Sequence, residues 1–170
     1  LLREKGIDPF SSKATKDYKN EEIVENFGTY EGKEVTLSGR IISWREHGEI
    51  VFGHIQDESG KIQLFIKKEA MDLETKSSDQ TIGFEDLNLL DIGDFVQATG
   101  IVVKTVRGEI SLEIRKLRIL TKALRPFPSE FFGLKDIEER YRKRYLDMIL
   151  NPDVKKRLTN RSKIVTALKN

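Results

Sequence analysis

Phe52, Gln63 and Glu109 are the residues of this sequence whose side chains are best suited to bind a planar polar ligand. A phenylalanine ring offers a stacking surface for an unstacked base, and a glutamine amide both donates and accepts hydrogen bonds along a base edge. A glutamate carboxylate accepts a hydrogen bond from an imino or amino group, such as uracil N3–H or the cytosine amino group. Arg45 adds a cation that pairs with a carbonyl or a phosphate. Together, these four residues predict recognition of a nucleic-acid base.

The alternation of apolar residues predicts which way these side chains point. In three strand-like stretches the apolar face consists of Val51 and Ile55; Ile62, Leu64 and Ile66; and Ile110, Leu112 and Ile114. Successive side chains of a strand point to opposite faces, so with these residues in the core, Phe52, Gln63 and Glu109 project outward. His54 takes the same outward face as Phe52. In the competing interpretation, Phe52 belongs to the core of a bulged strand, and Gln63 and Glu109 are ordinary surface residues.

Five strands are predicted before residue 120, because β-branched residues recur with a period of two from Val35 onward. They cover residues 34–45, 49–56, 61–67, 94–104 and 109–119. Turn signals at 57–60 and 106–108 join strands two and three and strands four and five as hairpins. The apolar residues between 68 and 93 predict helix in that segment.

Three strands, a helical insertion and two further strands follow the order of an OB-fold, a five-stranded Greek-key barrel, although other small barrels remain open. We therefore predict a mainly β fold with flanking helices. OB-folds bind oligonucleotides on the face of strands two and three, between the loops that join strands one and two and strands four and five. Phe52 and Gln63 lie on that face, and Arg45 and Glu109 border those loops.

Four segments are predicted along the chain. They are an N-terminal helical segment at 1–32, the barrel at 33–121, a linker at 122–133 and a helical segment at 134–170. Asn20 is predicted to cap a short helix in the first segment, and Pro126 and Pro128 break regular structure in the linker. Helical spacing predicts a helix of about four turns from Leu134 to Met148. A second helix is predicted to start at Asn151-Pro152-Asp153.

The composition is that of a globular protein, with 170 residues, 38% hydrophobic residues and 30 basic against 28 acidic side chains. The absence of cysteine excludes a disulfide scaffold, a thiolate zinc site and a cysteine nucleophile, and it favours a reducing compartment such as the cytoplasm. No apolar run approaches the roughly 20 residues that a membrane helix needs, so no membrane partner is predicted.

Charge is unevenly spread along the chain. Residues 1–121 carry 17 basic and 22 acidic side chains, whereas residues 122–170 carry 13 and 6. The predicted barrel at 33–121 carries 12 and 15, so its net charge repels a polyanion. We therefore expect nucleic-acid recognition on the barrel to be local and directed at bases. The basic C-terminal part is also compatible with a solvated helix face.

No catalytic residue and no metal site is predicted. His47 and His54 are the two histidines, and neither has further ligands at metal-binding spacing, so both are expected to be ordinary surface or loop residues. No phosphate-binding glycine loop, Ser–His–Asp arrangement or paired acid in an apolar pocket is recognisable.

Several runs of this sequence resemble the class II lysyl-tRNA synthetases. They are Phe52–Asp57, Gly60–Leu64, Lys104–Thr105, Gly108–Ser111, Thr121–Pro126, Gly133–Asp136 and Arg140–Asp147, with Lys5–Phe10 near the N-terminus. The long run from Thr121 to Asp147 is similar to the border that leads into the lysyl catalytic domain. Aspartyl and asparaginyl relatives share the barrel and a shorter Arg-Tyr-Leu-Asp echo. An aspartyl or asparaginyl anticodon domain therefore stays as an alternative.

The resemblance implies a role for each candidate residue. Phe52 would stack on the central uridine of the anticodon, Gln63 and Glu109 would recognise its edge, and Arg45 would lie near the anticodon loop. Phe52, Gln63 and Glu109 are also the residues that strand alternation selects.

The resemblance also implies the chemistry of a full-length enzyme, a lysine–tRNA ligase of the cytoplasm. In that family, lysine and ATP form an adenylate with magnesium, the lysyl group passes to the tRNA, and the enzyme is a homodimer. Residues 151–170 resemble the start of the first class II motif, and the later motifs are not in the sequence. This chain alone is therefore expected to bind tRNA weakly, to hold no cofactor and to catalyse nothing. A free-standing OB-fold single-strand binder and a protein–protein adaptor are the alternatives.

Overall fold

Five strands close into a barrel in the first of two compact units. The computed structural model describes residues 1–72, 81–125 and 136–169, and the units are Leu1–Pro126 and Phe127–Asn170. The strands are β1 Glu34–His47, β2 Ile50–Gln56, β3 Lys61–Lys67, β4 Phe95–Lys104 and β5 Ile110–Thr121. The division of the chain into four segments stays a prediction.

The barrel follows the strand order β1-β2-β3-β5-β4 and closes because β4 pairs with β1. All neighbours are antiparallel except β3 and β5, which run parallel through Gln63, Leu64 and Phe65. The predicted mainly β, five-stranded OB-fold is confirmed.

Alternating burial explains why these segments form strands. On β3, Ile62, Leu64 and Ile66 are at most 1% exposed and point into the core, as Leu112 and Ile114 do on β5. The predicted inward face is correct for these residues. Because the barrel interior is filled by these side chains, the outward positions of β2, β3 and β5 are left to carry polar and aromatic groups.

Short helices flank the barrel. They are α1 Asn20–Glu25, α2 Phe27–Tyr30 and α3 Lys68–Asp72, with 3-10 turns at Arg3–Lys5 and Phe84–Leu89. The predicted helix between β3 and β4 is present at both described ends of that segment, and residues 73–80 lie outside the described part.

The prediction that Asn20 caps α1 is wrong. Lys19 occupies the N-cap without a side-chain hydrogen bond, and Asn20 is the buried first residue of the helix. The Asn20 backbone amide donates to Asp57 Oδ2 over 3.0 Å, and its side-chain Nδ2 donates to the Ile55 carbonyl over 3.4 Å. The helix start is thus satisfied by a residue of the β2–β3 turn, which sequence spacing does not show.

Asp57 joins that turn to the N-terminal segment. Its carboxylate accepts hydrogen bonds from Lys16 Nζ at 2.7 Å, Ser59 Oγ at 2.6 Å and the Gly60 amide at 2.9 Å. Burial by itself raises the pKa of Asp57, but these donors and the Asn20 amide outweigh burial and hold its pKa well below the usual range. The ionised form is therefore part of the folded structure.

Acid is expected to destabilise the barrel through Asp57. A carboxyl group with a depressed folded pKa stabilises the fold above its unfolded pKa, near 3.9, and this stabilisation is lost as the pH falls toward the folded pKa. In urea unfolding, Asp57→Asn should have a lower unfolding free energy than the wild-type chain at pH 7. The difference between the unfolding free energies at pH 7 and pH 3 should be smaller in this variant than in the wild-type chain. Asp17→Asn is the control on the same segment, and an undiminished pH difference in Asp57→Asn would contradict the assignment.

The second unit consists of helices. They are α4 Ile137–Arg142, α5 Arg144–Leu150 and α6 Pro152–Lys169. The predicted start of a helix at Pro152 is confirmed, whereas the predicted four-turn helix is interrupted at Lys143, whose φ of −111° and ψ of 48° leave the helical region. Helical periodicity continues across such a one-residue break, so the spacing does not reveal it. Leu134 lies outside the described residues. Within the described ranges, no helix has the length and apolarity to cross a membrane.

Candidate nucleic-acid interface

A groove of about 720 Å³ runs over the outer face of β2, β3 and β5. One side is formed by the end of β1, with Ser43, Arg45 and His47, and the other side by the β4–β5 turn from Val103 to Arg107. Strand β1 pairs with β2 so that Arg45 lies opposite Phe52. The groove brings together all four predicted residues, Phe52, Gln63, Glu109 and Arg45.

Phe52 lies at the floor of the groove, outside the barrel core, and is half-buried. It pairs in register with Phe65 of β3, and the two rings stack with centroids 5.2 Å apart and planes 9° apart. Phe52 is the aromatic residue among the predicted binding residues, and the structure adds Phe65 beside it. The floor therefore carries a platform of two rings, and an incoming flat ring can stack on it.

Gln63 and Glu109 form a direct hydrogen bond beside this platform. Gln63 Nε2 donates to Glu109 Oε2 over 2.6 Å, and Ser111 Oγ donates to Gln63 Oε1 over 2.7 Å. Both contacts require the same amide orientation, because a carboxylate only accepts and Gln63 Oε1 cannot donate. Gln63 is 9% exposed and is thus held with its N–H group toward Glu109.

The β4–β5 turn places Glu109. The Thr105 amide donates to the Glu109 carbonyl over 2.9 Å, and the Glu109 amide donates to Thr105 Oγ1 over 3.2 Å. Gly108 has a φ of +85°, a conformation that glycine adopts without strain. The turn therefore returns the chain so that the Glu109 side chain lies over β3.

His54 is a member of the site that the sequence did not single out. Its Nε2 lies 2.8 Å from Glu109 Oε1, and its Nδ1 lies 2.8 Å from Ser43 Oγ. His54 lies on the outer surface of the barrel, as expected, but its side chain is only 18% exposed and both ring nitrogens have partners. The signal was its outward position on β2, two residues after Phe52 and opposite Gln63 in register.

The lining of the groove is more basic than the barrel as a whole. Its basic residues are Arg45, Lys61, Lys67, Lys104 and Arg107, against the two acidic residues Glu109 and Glu113. Lys67 pairs with Glu113 over 2.8 Å and also lies 4.7 Å from the centroid of the Phe65 ring. The net charge of the whole barrel therefore does not describe the groove, whose lining has more basic than acidic side chains.

No metal site accompanies the groove in the part of the chain that the structure describes. In residues 1–72, 81–125 and 136–169, no group of three or more His, Asp or Glu side chains could hold an ion.

A family model described as "OB-fold nucleic acid binding domain" matches residues 35–120. The chain belongs to this family. The matched range contains Phe52, Gln63, Glu109 and Arg45, and also His54. The OB-fold nucleic acid binding domain therefore includes the whole set of side chains that meet in the groove.

Curated relatives extend the similarity beyond this OB-fold nucleic acid binding domain. The chain is 39% identical to a lysine–tRNA ligase of Oceanobacillus iheyensis, over 98% of this chain and 34% of the relative. It is 40% identical to that of Moorella thermoacetica, over 99% of this chain and 33% of the relative. The Bacillus subtilis lysine–tRNA ligase is 38% identical, over 99% of this chain and 34% of its own length. The chain spans about a third of the length of these relatives.

Proposed function

We propose that this chain binds the anticodon loop of a tRNA and recognises its central uridine, as part of a lysine–tRNA ligase. The observation that carries the proposal is the stacked platform of Phe52 and Phe65 beside the hydrogen-bonded Gln63–Glu109 pair, on the outer face of an OB-fold nucleic acid binding domain. The similarity to lysine–tRNA ligases over nearly the whole chain supports the choice of tRNA.

Recognition of uridine follows from the polarity of the site. A uracil edge presents an N3–H donor between two carbonyl acceptors. Glu109 accepts a hydrogen bond from N3–H. Gln63 Nε2 has two N–H groups: one donates to Glu109, and the other donates to a neighbouring carbonyl of the base. Phe52 stacks on the face of the base, which must leave the loop stack to reach the groove.

The basic residues of the groove bind the backbone in this proposal. Arg45 is exposed opposite Phe52, and Lys104 and Arg107 lie on the other side of the groove. Phosphate contacts of this kind hold the loop in register without selecting a base. Selection of the base then depends on Phe52, Gln63 and Glu109.

The activity of the whole protein is a proposal drawn from its relatives. We propose that the chain serves an enzyme that uses lysine, ATP and magnesium to charge tRNA in the cytoplasm, as a homodimer. The chain covers about a third of the length of these relatives, and we expect it by itself to bind RNA without forming lysyl adenylate.

Phe52→Ala is expected to weaken binding of an anticodon stem-loop with a central uridine by about 1–3 kcal/mol, because the base loses its stacking partner. Fluorescence anisotropy of labelled stem-loops measures the affinity. Phe10→Ala is the control, since Phe10 is 44% exposed and does not line the groove. Unchanged affinity in Phe52→Ala, or equal wild-type affinity for central uridine, cytidine and purine, would refute recognition of the base at this site.

A sequence-blind single-strand binder is a second candidate, and the excess of basic side chains along the groove favours it. The two functions differ in one measurable property. A sequence-blind binder holds an unstructured RNA without uridine as tightly as the stem-loop, whereas an anticodon-binding domain prefers the stem-loop with the central uridine.

A further inference from the structure

His54 connects Glu109 to the barrel wall with a defined hydrogen-bond polarity. An ionised carboxylate only accepts, so the hydrogen in the 2.8 Å contact with Glu109 Oε1 belongs to His54 Nε2. In the neutral ring, Nδ1 then accepts from the Ser43 hydroxyl at 2.8 Å. Ser43 and His54 face each other in register on β1 and β2, so the ring is held by two strands of the barrel.

Glu109 needs such support. It lies in the β4–β5 turn just before β5, and its side chain is 49% exposed, so by itself it has several rotamers open to it. Gln63 holds Oε2 and His54 holds Oε1, so the two contacts together fix the plane of the carboxylate. Each oxygen keeps a further lone pair for a ligand.

We propose that His54 is a positioning residue that gives the site its preference for uridine over cytidine by holding Glu109 in one place. This inference rests on the proposed function. A mobile glutamate can follow either the N3–H of uracil or the amino group of cytosine, since both donate to a carboxylate. A fixed glutamate aimed at N3 meets a hydrogen in uracil and a lone pair in cytosine. A fixed Glu109 carboxylate therefore selects uracil, whereas a mobile one accepts either base.

Two substitutions at position 54 separate the contact with Glu109 from the contact with Ser43. In His54→Gln the amide nitrogen replaces Nε2 and can still donate to Glu109, whereas in His54→Asn the shorter amide reaches only the position of Nδ1 beside Ser43. His54→Val is a second variant without a donor to Glu109, and valine is well accepted in strands. The probes are two stem-loops that differ only in uridine or cytidine at the central anticodon position.

The wild-type chain and His54→Gln should prefer the uridine loop, and His54→Asn and His54→Val should lose about tenfold of that preference, as expected for a lost hydrogen bond to a charged group. In a Glu109→Gln background, His54→Asn should have no further effect, because His54 acts through Glu109. If His54 only stabilised the fold, the effect of His54→Asn would not depend on whether Glu109 is present. Urea unfolding of each variant identifies any that is not folded.

Retention of the full uridine preference in a folded His54→Asn or His54→Val variant would overturn the inference, and so would an additive loss in the Glu109→Gln background. In either case the proposed function would stand, since the wild-type chain would still select uridine. If the wild-type chain shows no uridine preference, the proposed function fails and the inference falls with it.

Discussion

Replacement of Gly100 by alanine is expected to lower the unfolding free energy of the barrel by about 3 kcal/mol, because the new methyl group has no space. A Cβ at this position would lie 2.1 Å from the carbonyl oxygen of Glu113 and 3.1 Å from Cα of Ile114. These are backbone atoms of β5, so no side-chain rotation relieves the clash. The register between β4 and β5 shifts between Thr99 and Gly100, and glycine at a shift of this kind allows the two backbones to approach.

Gly28→Ala is the matched control for this substitution. Gly28 lies in α2, and a Cβ there meets no atom within 4 Å. Alanine is preferred over glycine in helices, so the control should be neutral or slightly stabilising. Urea unfolding monitored by circular dichroism gives both free energies. A loss below about 0.5 kcal/mol in Gly100→Ala, within the range of ordinary surface substitutions, would mean that the β4–β5 contact is looser than described.

The strands could be predicted closely because their apolar residues alternate. The segment predicted at 61–67 matches β3, and the other strands begin or end within a few residues of the predicted bounds. The alternation of apolar residues does not determine the register between paired strands. The shifts in the β1–β2 and β4–β5 pairings are local irregularities between consecutive strands, and a period of two in the sequence does not mark them. Neither the crowded position of Gly100 nor the interruption at Lys143 follows from periodicity.

The binding residues were predicted in part for the same reason. Alternation identified Phe52 and Gln63 as outward, but it says nothing about which outward residues touch. Ser111 reaches Gln63 because β3 and β5 run side by side in parallel, a pairing of segments 48 positions apart. His54 reaches Glu109 from 55 positions away. Their hydrogen bonds exist only once the barrel has closed.

Net charge was the least informative part of the sequence. The barrel has more acidic than basic residues, yet the groove lining has the opposite balance, because most acidic residues of the described part of the barrel lie outside the groove. The carboxylates of Asp57 and Asp94, for example, accept hydrogen bonds from backbone amides within the fold. A carboxylate that is paired within the fold contributes little to the field at a distant surface.

Loss of Asp94 is expected to have an effect as large as that of Gly100→Ala. Asp94 is fully buried just before β4, and its Oδ1 accepts from the Ala123 amide over 2.7 Å. Its Oδ2 accepts from the Asp91 amide over 2.8 Å and from Lys122 Nζ over 2.7 Å. One carboxylate thus holds the loop before β4 and the chain that leaves β5.

Asp94→Ala should lower the unfolding free energy by about 3–5 kcal/mol, because the Asp91 and Ala123 amides lose their buried acceptor and the Lys122 ammonium loses one of its three partners. Asp91→Ala is the control: this residue binds the same Lys122 Nζ at 2.6 Å, but its side chain is 68% exposed, so the loss should stay below about 1 kcal/mol. Urea unfolding measures the free energies of the two variants. Equal losses would show that the burial of Asp94 does not increase its contribution to stability.

Asp94 does not line the groove, so the folded fraction of Asp94→Ala should still select the stem-loop with a central uridine. This measurement separates loss of stability from loss of recognition.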